Sequence, residues 1–230
     1  MKYLFLIPTL FVLVIFSSCV NADHSHSHDA DSHNKDSNNI PDTTTHYPQE
    51  KHLANVKQLT NGGDNAEAYF SFDNSMIVFQ AKVPEWGSAC DQIYYFPFSD
   101  INIKNSMPQI LSNSLGRTTC SFFMPGDTTI LYGSTRSGSD DCPPEPERRE
   151  AGKYVWPIYP DFDIYIADLQ GNLIDMLVAG PGYDAEATVS PNGDKIVFTS
   201  DRSGDLELYT CDIDGSNVIQ ITNELGYDGG

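Results

Sequence analysis

The chain has 230 residues, 40% hydrophobic and 11% aromatic, enough for one sizeable core or two small ones. Thirteen basic residues against 32 acidic ones leave a formal net charge of −19. No basic stripe is available to neutralise phosphates, so nucleic acid is excluded as an expected partner, and an anionic membrane surface should repel the folded part. In chain order, Lys2 precedes an apolar run from Leu4 to Phe16 that is too short to span a bilayer comfortably. Residues 1–18 therefore read as a signal peptide.

The run ends on Phe16-Ser17-Ser18-Cys19. That ending resembles the lipobox of bacterial lipoproteins, which implies a Cys19 that is diacylated and becomes the new N-terminus. Val20-Asn21-Ala22 offers a rival site for ordinary signal peptidase. Both routes lead to an exported, disulfide-permissive compartment. Residues 19–50 are rich in His, Asp, Ser, Asn and Thr and hold almost nothing apolar, the composition of a flexible tether. Within it His24, His26 and His28 alternate, a spacing that can catch zinc or copper loosely. A solvated tether is the plainer reading of the same residues, and neither a metal nor any other cofactor is expected.

From residue 51 onward three segments fall on one pattern. Each has a turn, "SFDNS", "MPGDT" or "SPNGD", and then an apolar strand at Met76–Phe79, Thr129–Tyr132 or Lys195–Phe198. A tyrosine-ended strand follows ("DQIYY", "DFDIY", "DLELY"), then a turn and a closing strand ("PQIL", "DMLV", "IQIT"). Short strands, Gly and Asn turns, and no helical periodicity predict antiparallel meanders. Four such strands in about 44 residues make the blade of a β-propeller.

The third segment, with Ser190-Pro191-Asn192-Gly193 ahead of its apolar strand, resembles the TolB-type, WD-like propeller repeat. The resemblance implies an all-β propeller of four-stranded blades over residues 51–230. It also implies a non-enzymatic platform in the cell envelope that binds a protein or peptide. A propeller attached to a hydrolase or peptidase that lies beyond residue 230 is the alternative. Gly182-Tyr183-Asp184 recurs as Gly226-Tyr227-Asp228, so three blades, the start of a fourth and an open ring are expected, as in the front part of a longer protein. Residues 51–60 are expected to form the outer strand that would close the ring against a final blade.

The sequence contains no G-x-S-x-G, no H-E-x-x-H and no phosphate-cradling loop, so no catalytic residue is assigned. In "DIDGSN" at 212–217, Gly215 arrives too early for a calcium loop and marks a β-turn instead. The second segment holds a long insertion between its apolar and tyrosine strands, with Arg148, Arg149, Tyr154, Trp156 and Tyr159. These are partner-binding candidates, or they pack the loop down over neighbouring blades. Cys90, Cys120 and Cys142 map to one face. A disulfide from Cys120 to Cys142 is expected first, with Cys90 second, a zinc site on the three thiolates being conceivable. Cys211 is expected to stay unpaired. Glu67, Cys120 and Glu186 occupy equivalent rim positions, where the carboxylates either meet a cation or basic partner group or hold backbone amides between blades.

Overall fold

Runs of Ile, Val, Phe and Tyr, each stopped by a turn of Asp, Asn, Gly or Pro, fold into short strands that pair only with their sequence neighbours. The computed structural model describes residues 49–100, 107–145 and 156–229, within a compact unit from Thr43 to Gly230. The leader at 1–18, Cys19, His24, His26, His28, Arg148, Arg149 and Tyr154 lie outside the described residues.

The first blade comprises β1 (Asp64–Phe70), β2 (Met76–Lys82), β3 (Gln92–Pro97) and β4 (Gln109–Ile110). The second comprises β5 (Thr118–Phe123), β6 (Thr129–Ser134), β7 (Asp163–Asp168) and β8 (Leu173–Val178). The third comprises β9 (Asp184–Val189), β10 (Lys195–Ser200), β11 (Glu207–Asp212) and β12 (Ile219–Gln220). All three are four-stranded antiparallel meanders. The all-β reading and the propeller blade hold, strand for strand.

The turns between first and second strands explain why the phrase repeats. Each puts a residue in the left-handed region: Asn74 at φ 59°, Asp127 at 56° and Gly193 at 73°. Asn, Asp and Gly tolerate that region best. Ser71 and Ser190 close their turns by accepting from the N–H of Met76 (2.9 Å) and Lys195 (3.1 Å). Met124 has no hydroxyl at the equivalent place. There Asp127 reaches across instead, and its carboxylate accepts from Phe72 N (2.8 Å) and Asp73 N (3.0 Å) of the first blade.

Both faces of the central strands are apolar, so each blade is buried against the next. Val78, Ile93 and Leu111 pack on Phe123, Ile130, Tyr132 and Tyr165 between blades one and two. Leu131, Ile164 and Val178 pack on Ala187, Ile196, Phe198 and Tyr209 between blades two and three. At one register in every blade an aromatic pair crosses the second and third strands: Phe79–Tyr94, Tyr132–Tyr165 and Phe198–Tyr209, with ring centroids 6.0, 6.0 and 5.8 Å apart. Arg136 lies over Tyr165, and Arg202 covers both rings of its pair at 5.2 Å. In the first blade Trp86 packs on Tyr94 at 5.1 Å.

Residues 51–60, expected to close the ring against a final blade, have no such blade beside them among the described residues. They carry no strand; Leu59 packs on the first-blade cluster of Ile77, Phe79, Tyr94 and Phe96.

Phe198 is fully buried between two blades. Its replacement by alanine is expected to cost about 3–5 kcal/mol in urea unfolding. Ile174, exposed on the outermost strand of blade two, should cost less than about 0.5 kcal/mol when replaced by alanine.

Candidate functional site

The innermost strand of every blade is interrupted at the same place. β1, β5 and β9 lose register against their partners around Glu67, Cys120 and Glu186. These residues have φ of 50°, 38° and 58°. A non-glycine side chain in the left-handed region costs about 1–3 kcal/mol, and such bulges re-aim a side chain out of the sheet. The three equivalent bulges all reach one cavity of about 450 Å³. Glu67, Cys120, Glu186, Gln80, Trp156 and Tyr227 are among its lining.

Tyrosine hydroxyls hold the carboxylates. Tyr69 donates to Glu67 Oε2 at 2.8 Å. Tyr183 donates to Glu186 Oε1 at 3.2 Å, and Tyr227 donates to the same carboxylate at 2.9 and 3.0 Å. Tyr183 and Tyr227 come from the repeated Gly-Tyr-Asp phrase, and the chain docks identically after each. Asp184 N donates to Phe162 O at 2.8 Å, and Asp228 N donates to Leu206 O at 2.9 Å. Arg117 stands where the tyrosine would be in blade two. Gln80, buried in the first blade, accepts from Cys120 N at 3.2 Å and so fixes the second bulge.

The cysteines pair differently from expectation. Cys90 is joined to Cys142, while Cys120 and Cys211 are buried thiols. Cys120 sits on the inner strand and faces the cavity, whereas Cys142 lies on the insertion where it passes the β2–β3 loop that carries Cys90. Burial pushes the Cys120 thiol up to about 12, with Glu67 and Glu186 adding to the shift. A protonated thiol is a poor nucleophile and metal ligand. Among the described residues no group of His, Cys, Asp and Glu has metal-binding geometry.

The insertion leaves blade two at residue 135 and returns at 162, and its two described arms meet over Arg117. This side chain is buried; its guanidinium pairs with Glu145 and lies 3.8 Å from Asp91. Lys82 donates to Glu145 at 2.9 Å and, with Arg117 behind it, holds that carboxyl below its ordinary value. Tyr159 stacks over Arg117 at 5.7 Å and donates to Pro144 O at 2.6 Å. Of the aromatics singled out in the insertion, Trp156 lines the cavity and Tyr159 does not.

Burial raises the Tyr183 phenol and the Glu186 carboxylate adds to it. The Trp156 indole N–H tempers that rise without reaching hydrogen-bond geometry. Burial and then Glu186 raise Tyr227 in the same way, and burial with Glu67 lifts Tyr69 to about 12. The cavity thus offers acceptor carboxylates, the Tyr227 hydroxyl, a neutral thiol and the Trp156 indole. That set can hold a ligand by hydrogen bonds and apolar contact. Sequence reasoning reached Glu67, Glu186 and Trp156 but missed Gln80 and Tyr227; the repeated Gly-Tyr-Asp phrase was the available signal for Tyr227.

No protein-family model matches the chain. A stretch of 31 residues is 55% identical to the TolB homologue of Chlorobaculum tepidum, covering 14% of this chain and 7% of that protein. A stretch of 56 residues is 38% identical to the Tol-Pal system protein TolB of Bordetella pertussis, 24% of this chain and 13% of the relative. Among solved structures, one described as TolB of Agrobacterium tumefaciens superposes with a TM-score of 0.50 at 22% identity, over 74% of this chain and 52% of that one. TolB of Acinetobacter baumannii gives 0.51 at 21% identity, over 70% and 33%. At these identities the structural likeness bears on the fold alone, and the chain spans a small part of the curated relatives and a third to a half of the two structures.

The raised phenols fix a pH dependence. Their folded values lie above the ordinary 10.0, so the unfolded chain gives up these protons first. Stability is expected to be unaffected by them up to about pH 10 and to fall as pH rises beyond it. Urea unfolding across that range checks this, and Tyr183→Phe should flatten the decline.

Proposed function

Taking the chain as a TolB-type β-propeller repeat protein, we propose that it is an exported, non-enzymatic scaffold that binds a protein or peptide partner in the cell envelope. The observation that carries this reading is the convergence of three strained rim bulges and one inserted segment on a single cavity. Repeated blades supply rigidity, and the parts that differ between blades supply selectivity. Trp156 is the natural anchor, because large amphipathic aromatics dominate interface energetics. Tyr154, Arg148 and Arg149 belong to the same insertion and extend the contact. Glu67 and Glu186 suit donor groups of the partner, such as amide, ammonium or guanidinium N–H.

Export is supported by the apolar leader at 1–18 and by the Cys90–Cys142 disulfide, a kind of bond found mostly in oxidising compartments. In this reading Cys19 carries the lipid and residues 19–50 bridge it to the first blade.

Two measurements test the proposal. Capture from envelope extract by the full-length protein is expected to recover a partner that Trp156→Ala loses by about 2 kcal/mol, roughly thirtyfold in affinity. Equal recovery by wild type and variant would move the site elsewhere, and turnover of a captured peptide would overturn the non-enzymatic reading. Mass spectrometry of the mature N-terminus is expected to show diacylated Cys19; a free amine at Asp23 would show cleavage after Ala22 instead.

A further inference from the structure

Tyr159 was a candidate partner contact by composition, yet both of its functional parts are spent inside the protein. Its hydroxyl bonds Pro144 O at 2.6 Å, and its ring covers the buried Arg117 guanidinium and packs on Phe162, 6.1 Å between centroids. Pro144 lies two residues beyond Cys142, so the bond joins the returning arm to the arm that the disulfide pins to the first blade. Glu145, next along, closes on the same Arg117 and on Lys82 of β2. On the returning arm Ile158 and Trp156 line the cavity, one and three residues before Tyr159.

We propose that the Cys90–Cys142 disulfide and Tyr159 form a two-point clamp that positions Trp156 at the cavity, and that opening the disulfide releases the indole from that position. The order of attachment carries the argument. Blade one holds Cys142, Cys142 places Pro144, Pro144 and Arg117 hold Tyr159, and Tyr159 sets the backbone that presents Ile158 and Trp156. Trp156 has no hydrogen bond of its own to hold it, since its indole nitrogen is buried without a partner among the described residues. Its placement is therefore borrowed from the clamp. Opening the clamp needs an external dithiol. Two electrons and two protons convert the Cys90–Cys142 bond to two thiols, while the reductant closes to its own disulfide. The clamp would make partner capture sensitive to the redox state of the compartment.

That last consequence rests on the binding reading above; the position of Trp156 does not, so the two fail separately. The chain has two tryptophans, and Trp86 lies in the first-blade core against Phe79 and Tyr94. In full-length Trp86→Phe, emission therefore reports Trp156 alone. Treatment with a dithiol, with thiol counting to confirm that Cys90 and Cys142 are reduced, is expected to shift that emission to the red and to increase quenching by acrylamide. Tyr159→Phe, which keeps the ring and loses the hydroxyl, should give part of the same change with the disulfide intact, and Tyr159→Leu more of it. The reciprocal Trp156→Phe protein reports the core through Trp86 and should not respond to reduction. If Trp86→Phe does not fold, the emission of wild type minus Trp156→Phe supplies the same reading. Unchanged Trp156 emission after confirmed reduction overturns the proposal. So does an equal response from Trp86, which shares the β2–β3 loop with Cys90 and would show that reduction acts on blade one at least as much as on the Trp156 indole.

Discussion

A small antiparallel sheet with apolar side chains on both faces cannot stand alone in water, and the architecture follows from that constraint. Val78 and Ile93 look one way from the first blade while Ile77 and Phe79 look the other. Burying both sets requires a layer on each side, which successive copies of one meander provide by stacking face to face. The cross-strand aromatic pair recurs because it fills the middle of this layer with the most area per residue. Its caps differ, Arg over two blades and Trp over one, but each is supplied by the connection between the second and third strands.

Stacking twisted sheets about an axis crowds their innermost strands, and the bulges at Glu67, Cys120 and Glu186 are where these strands give way. The cost in backbone strain is met by local bonds: tyrosine hydroxyls on the two glutamates and Gln80 on the Cys120 amide. Those bonds also determine how the rim presents itself. Glu186 holds a fixed carboxylate because tyrosines from two successive Gly-Tyr-Asp phrases converge on it. Cys120 offers a small neutral group between two acids. The cavity is accordingly uneven around its circumference although the blades that build it are alike.

Strand order and turn chemistry could be read from the sequence because they are set locally, by alternation and by residues such as Asn74 and Gly193 that accept the left-handed region. The equivalence of Glu67, Cys120 and Glu186 was readable for the same reason, as a matter of counting along repeats. Cysteine pairing was not. Cys120 and Cys142 belong to one blade and lie near each other in sequence, but partner choice depends on where a long insertion crosses the neighbouring blade. That path is governed by Arg117, Glu145 and Lys82, ion pairs between segments far apart in the chain. Of the two roles open to Tyr159 in the sequence, partner contact or packing the loop down, its contacts with Pro144, Arg117 and Phe162 favour the second, and composition alone could not choose. The closing strand expected at 51–60 depends on a final blade; among the described residues Leu59 of that segment packs on an apolar face of the first blade.

The disulfide also changes what the chain is as a mechanical object. Its 52-residue separation encloses β3 to β6, so two strands of blade one and two of blade two lie on a covalent ring while their sheet partners lie outside it. A cut anywhere between residues 91 and 141 opens the ring but leaves one molecule, its two pieces still joined through the sulfur bond. Under tension the ring withholds on the order of 180 Å of contour length. The first two blades can be pulled apart strand from strand, but they cannot be drawn out into a single line until that sulfur bond is broken.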